Sequence, residues 1–167
     1  MSMFSSRLSR LTRLLEIAGA RDPNEWAKSE VEEDIPQLAR FLFLRQAWRA
    51  IIPEGDTSWI EREVQAAKQN PRAPGSGLGL ALAKLKEAGA DVESLTEVAR
   101  TAQWQLLHSI CYQLSDPSIE ELELQHVAWG LFEVDEKGRA GRPVEGLHES
   151  VLETDPTGRE MRPKGAV

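Results

Sequence analysis

Apolar residues fall at helical spacing from the N-terminus to about residue 125 and lose that order afterwards. Leu8, Leu11, Leu14 and Leu15 are interleaved with Arg7, Arg10 and Arg13 over residues 1–20. That predicts an amphipathic first helix packed through its leucines. Asp22-Pro23-Asn24-Glu25 puts a side-chain acceptor ahead of a proline that has no N–H to leave unpaired, so a short helix is expected to start there. Asp34-Ile35-Pro36 repeats the device and opens a longer helix to about Ile52, stopped by Pro53 and Gly55. In it Phe41, Leu42, Phe43 and Leu44 point to every side, so protein must cover at least half its circumference. It is expected to be the central helix.

Ser58 and Glu61 have capping-box spacing and start a third helix, ending near Asn70-Pro71. Residues 71–77, Pro-Arg-Ala-Pro-Gly-Ser-Gly, read as a loop. Leu78, Leu82 and Leu85 then share a stripe, with Gly89 as the stop, which predicts a fourth helix over Leu78–Ala88. Ser94 and Glu97 repeat the capping spacing, and Leu95, Val98, Ala99, Ala102, Leu106, Ile110 and Leu114 keep one apolar face for five turns. This fifth helix ends at Asp116-Pro117, which can cap a short sixth one through Ser118 to about Gln125. From Trp129 onward six glycines and three prolines break the pattern. Trp129 to Val134 can pair with Arg142 to Leu147 across the turn-rich Asp135 to Gly141, with Pro143 confining its strand to an edge. The expected fold is all-α: a single-domain bundle of five to six helices over residues 1–128. An acidic, Gly/Pro-containing arm, residues 129–167, packs on the same domain and contains a small hairpin.

Composition changes the picture in a few places. The 167 residues carry 27 acids and 20 bases, for a net charge of -7. Twelve of the acids, against six bases, lie in residues 115–167. An acidic balance argues against nucleic acid as the main partner, because a phosphate backbone needs a concentrated basic face. One cysteine, Cys111, makes no internal disulfide and suits a reducing, cytoplasmic setting. No apolar run approaches the roughly 18 residues that cross a bilayer. The arginines of residues 1–20 interrupt any secretory core, although that stretch resembles a transit peptide or a membrane-surface helix. Peripheral membrane contact through Arg7, Arg10 and Arg13 therefore stands beside the packed-helix reading.

Candidate chemistry is sparse. Gly75-Ser76-Gly77-Leu78-Gly79-Leu80-Ala81-Leu82-Ala83-Lys84 resembles the second glycine box of the histidine-kinase ATPase family, which implies phosphate contact at a helix N-terminus through Gly75, Ser76, Gly77 and Gly79. That family also has an asparagine box and an Asp-x-Gly-x-Gly segment, and neither stands upstream of Gly75. The other reading is a loop followed by a close-packed helix face of small residues. Glu123-Leu-Gln-His126 and Glu145-Gly-Leu-His148 share the Glu-x-x-His spacing of di-iron bundles, though Gly146 interrupts the second copy. His108 and Cys111, one turn apart, are a further pair with soft-metal ligands or a cysteine–histidine dyad in view. Exposed or internally satisfied histidines are the plainer expectation, with no cofactor and no catalytic residue assigned. Five of the ten aromatic residues are tryptophans, and Trp26 and Trp104, beside polar neighbours, are candidate interface positions.

Trp129-Gly-Leu-Phe-Glu-Val-Asp, Gly146-Leu-His-Glu-Ser-Val-Leu and Asp155-Pro-Thr-Gly-Arg-Glu-Met-Arg-Pro resemble the tail of small bacterial proteins known only as a family of unknown function. That resemblance implies a cytoplasmic bacterial protein and transfers no site residue. Two functions follow as expectations. The first is a non-enzymatic protein that binds protein, as a homodimer or with a basic partner, a toxin-neutralising immunity protein being one form. The second is a ligand- or metal-binding bundle, or an enzyme, with its site at Gly75–Gly79 or at the histidines.

Overall fold

A computed structural model describes residues 3–165. It is an all-α chain with a small hairpin near its C-terminal end. In order, the elements are α1 (Met3–Ala18), α2 (Pro23–Glu33), α3 (Gln37–Trp48), α4 (Ser58–Gln69), α5 (Ser76–Glu87), α6 (Val92–Ser115), β1 (Phe132–Val134), β2 (Ala140–Pro143) and α7 (Leu147–Ser150). Its contacts gather into two compact units, one of Met1–Trp48 with Leu107–Val167 and one of Arg49–Leu106. Most of α6 belongs to the second unit and its last turns to the first.

In the first unit α1 buries Leu11, Leu15 and Ala18 against Trp26 and Ala27 of α2 and Phe41 of α3, with Leu8 half-buried at the edge. Spacings of three and four put those α1 residues on one stripe, while Ile17 falls outside it and faces solvent. Trp26 meets Phe41 edge to face, with ring centroids 5.4 Å apart. Asp34 adopts a left-handed φ of 57° and ends α2. The α3 helix buries Phe41, Leu44 and Trp48, as the all-round apolar pattern predicts.

Residues 140–162 complete this unit rather than lying over it. Val144 is buried, and Leu147 and Val151 are fully so. The Trp48 indole N–H donates to the Val151 carbonyl at 3.0 Å and to Thr154 Oγ1 at 3.1 Å. Arg40, itself buried, donates to the Gly146 carbonyl and pairs with Glu149 at 3.1 Å. Asp155 is 2% exposed and accepts from the Thr157 N–H, the Thr157 hydroxyl and the Met161 N–H. Each accepted bond satisfies a lone pair that burial removes from water, so the carboxylate organises the turn that follows it. Arg142 of β2 reaches back to Glu30 and Asp34 at the end of α2, at 2.8 and 3.2 Å, and pairs with Glu133 of β1. Arg7 of α1 adds a longer contact to Asp34 at 3.7 Å.

The hairpin is shorter than the pattern predicts and shifted toward its turn, with Phe132 opposite Pro143 and Val134 opposite Ala140. Asp135 explains the shift: its carboxylate accepts from the Lys137 N–H, the Arg139 N–H and Arg139 Nε, closing the turn around residues 135–139. A further correction falls on the sixth helix. Ser118 sits at φ 44°, outside the helical region, and only a 3-10 turn at Leu122–Leu124 forms.

The second unit packs Ile52, Trp59, Ile60, Val64 and Leu82 with Ala83, Val92, Leu95 and Ala99 around it. Its caps differ from those read off the sequence. Aspartates lie one helical turn or less ahead of the serines: Asp56 accepts from the Ser58 N–H and hydroxyl, and Asp91 from the Ser94 N–H, so α6 starts at Val92. These bonds favour the ionised form and hold both carboxyls below their ordinary value, with Ser58 and Ser94 the leading causes. Helix α3 stops at Trp48, short of the predicted Ile52. The Ile52 N–H donates instead to Gln103 Oε1 at 2.8 Å, and its carbonyl accepts from Arg100 at 3.0 Å.

Candidate functional site

In the glycine segment one residue, Gly79, is fixed by packing. Gly75 is the residue before α5 and takes a left-handed φ of 87°, and the Ser76 hydroxyl donates to the Pro71 carbonyl at 2.8 Å. Gly79 is buried where α5 crosses α4, and a Cβ there would meet the Glu63 carbonyl and, at 2.6 Å, the Ala67 Cβ. A hydrogen is all that fits. Gly77 has open space around its would-be Cβ. The close-packed helix face therefore describes Gly79.

The histidine candidates separate. His108 of α6 and His148 of α7 come together, ring centroids 6.2 Å apart, and Tyr112 lies edge-on to His148 at 5.1 Å. His148 Nδ1 is buried without a hydrogen-bond partner among the described residues. His126 and Glu123 lie in a fully exposed stretch, and Glu145 is exposed as well. Cys111 is fully buried, and burial pushes its thiol up to about 11, away from the reactive thiolate. Among the described residues no group of three His, Cys, Asp or Glu side chains is arranged to hold a metal ion. A cavity of about 380 Å³ in the first unit, walled by Trp26, Phe41, Arg21, Arg45 and Glu153, contains none of these candidates. Burial raises the Glu153 carboxyl there.

Trp26 is core, contrary to its candidacy as an interface residue. The half-exposed tryptophan is Trp129, whose indole donates to the Gln113 carbonyl at 2.8 Å. It ends a segment in which every residue from 120 to 130 is exposed. Residues 116–131 carry Asp116, Glu120, Glu121 and Glu123 with no lysine or arginine, and Leu122, Leu124, Val127 and Trp129 stand in water between and beyond the acids. Leu122 is 79% exposed.

The apolar face predicted for α6 is only partly covered. Leu95 and Ala99 join the core, but Val98, Ala102, Leu106 and Ile110 are exposed, Val98 at 69% and Leu106 at 61%. The buried side of the helix is instead polar. Thr96 accepts from the Trp59 indole N–H at 3.0 Å, and Arg100 and Gln103 hold the Ile52 backbone. Sequence reasoning equated apolar with inward and missed this. The signal was present in the helical spacing of Thr96, Arg100 and Gln103.

Searched against protein-family models, curated protein sequences and solved structures, the chain matches none. No helix among the described residues is long and apolar enough to cross a membrane. Arg10 and Arg13 are exposed on α1, and Arg7 is engaged with Asp34.

Proposed function

We propose that this protein acts by binding another protein, and that residues 119–131 are a docking element for a basic partner. The observation that carries this is the segment with three carboxylates, no base and four solvated apolar side chains. Solvated large apolar groups in a contiguous stretch mark interaction surfaces, and carboxylates around them steer a basic partner and set its register. A partner of this kind offers an apolar groove rimmed by lysine or arginine; the immunity-like form of the reading has such a partner in a basic toxin. The test is cross-linking mass spectrometry of the full-length chain in extract of its own host, wild type against the Leu122→Asp, Leu124→Asp double variant. A cross-linked chain with a basic surface, lost in the double variant while circular dichroism is unchanged, supports the reading. Equal capture by both forms, or capture by neither, ends it.

A second reading, ligand or metal binding at the histidines, rests on the approach of His108 to His148 beside an unpartnered Nδ1. Zinc titration by calorimetry, with His148→Ala as control, decides it: no heat in the wild type removes the metal form.

A further inference from the structure

We propose that the cavity of the first unit, between the end of α1, helices α2 and α3 and residues 153–160, binds a free α-amino acid with an apolar side chain. The proposal goes beyond the protein-binding reading and does not rest on it. Every residue of the cavity wall belongs to the one compact unit.

Unpaired charges of both signs meet there. Arg45 is half-buried and makes one bond, from Nη1 to the Ala18 carbonyl at 2.9 Å, while its Nε is buried without a partner among the described residues. An unanswered buried guanidinium N–H costs free energy until an acceptor is supplied. Arg21 donates to the Glu153 carbonyl. Among the described residues neither guanidinium has a carboxylate within ion-pair distance, in a chain whose net charge is -7. The Glu153 carboxylate likewise has no cation within that distance, and burial raises its pKa, with the Asp22 charge adding to the rise. Two further carboxylates of the wall are already engaged, Asp155 by Thr157 and Met161, and Glu160 by Arg162 at 2.7 Å. Arg21, Arg45, Glu153 and Asp22 are left to meet a ligand.

These charges select it. A guanidinium is answered best by a planar carboxylate, which takes two parallel N–H donors, and a carboxylate by an ammonium. A plain anion would meet Glu153 and Asp22 with like charge, and a plain cation would meet Arg21 and Arg45. A ligand that carries both charges leaves neither sign unanswered, and a free α-amino acid holds the two on one carbon. Trp26 and Phe41, packed edge to face at 5.4 Å, make the apolar wall for its side chain together with Ala18 and Pro156. The volume of about 380 Å³ lies near the lower end of the roughly 300 to 1,000 Å³ of small-molecule sites, which suits one amino acid and not a long peptide. A ligand of about a dozen heavy atoms binds such a site with a Kd in the range of about 10 μM to 1 mM.

The test is isothermal titration calorimetry of the full-length chain with L-phenylalanine and L-leucine. Each is set against the analogues that lack its ammonium (phenylpropionate, isocaproate) or its carboxylate (phenethylamine, isoamylamine). At least one of the two amino acids is expected to bind in the range given, and its analogues at least tenfold more weakly. Arg45→Met and Glu153→Gln are each expected to weaken binding at least tenfold. Glu153→Gln keeps the outline of the side chain and the backbone carbonyl that Arg21 holds, so it decides the matter even where Arg45→Met, which loses the bond to Ala18, fails to fold. Arg10→Met, the same loss of charge at an exposed position of α1, is the control and should bind like the wild type. No heat from either amino acid up to about 5 mM overturns the proposal. An analogue that binds as tightly as its amino acid, or a Glu153→Gln chain that binds like the wild type, overturns it as well.

Discussion

Residues 120–130 and residues 144–155 come from the same acidic, helix-poor third of the chain and end in opposite environments. The first stretch is exposed at every position, with Leu122, Leu124 and Val127 in water. The second buries Val144, Leu147, Ser150, Val151 and Asp155. Neither contains a long helix, and both alternate acids with aliphatic residues, so content does not separate them. Partners do. The buried stretch meets Trp48 and Arg40, whose donors take up the Val151 and Gly146 carbonyls, and its own Asp155 satisfies the turn beyond it. The exposed stretch finds one side-chain tie, from Trp129 to Gln113. Irregular backbone can be buried when its polar groups are all answered, and stays in water when they are not.

Four measurements can break or sharpen this contrast. The largest effect is expected from Leu147→Ala, which empties a fully buried site and should lower stability by about 2 to 5 kcal/mol in urea unfolding, against less than about 0.5 kcal/mol for Leu122→Ala. Equal losses would erase the distinction. Next, Arg142→Met removes the cation closest to the buried Glu30 carboxylate and should cost roughly 2 to 3 kcal/mol, with amide exchange accelerating across residues 132–143.

Cys111 reports the last buried position before the exposed stretch. Its thiol, raised to about 11 by burial, is neutral in the folded chain. Disulfide-exchange reagents should therefore react at pH 8 at least ~100-fold more slowly than with the unfolded chain. Because the folded value lies above the ordinary thiol value of 9.0, the stability contributed by the neutral thiol is present below about pH 9 and is lost as pH rises toward 11. The smallest effect is expected at Asp135. Hydrogen bonds from the Arg139 backbone and side chain lower its pKa from 3.8, so its support for the hairpin turn is present above that value and is lost as pH falls through the lowered one. NMR shifts of Lys137 and Arg139 should follow that titration in the wild type and be absent in Asp135→Asn.

The sequence made the helices legible where a local rule was enough. Residues 3–48 and 58–115 form helices at the predicted places because stripes, prolines and glycine stops act within a few residues. Errors appear where distant groups decide. The early end of α3 follows from Gln103 and Arg100, some fifty positions away, capturing the Ile52 backbone. The inward turn of Asp155 depends on a pocket built by earlier helices, which no local pattern announces. The candidate surfaces were half legible. The apolar row of α6 and the acids of residues 116–123 stand in the sequence, but whether a row faces core or water depends on what else claims the interior. On α6, Thr96, Arg100 and Gln103 claimed it through hydrogen bonds.

The bond from Trp48 to Val151 also orders events in time. A chain that emerges N-terminus first can gather Arg49–Leu106, a compact unit by itself, before the rest exists. Helix α3 cannot finish, because Val151, which accepts from the Trp48 indole, arrives about a hundred residues later. Closing so long a loop is slow, and meanwhile Trp48 lacks the acceptors of its indole N–H. During synthesis the middle of this protein can settle before the end of α3 does, and the vulnerable interval for aggregation or proteolysis ends only when the last α-helix is delivered.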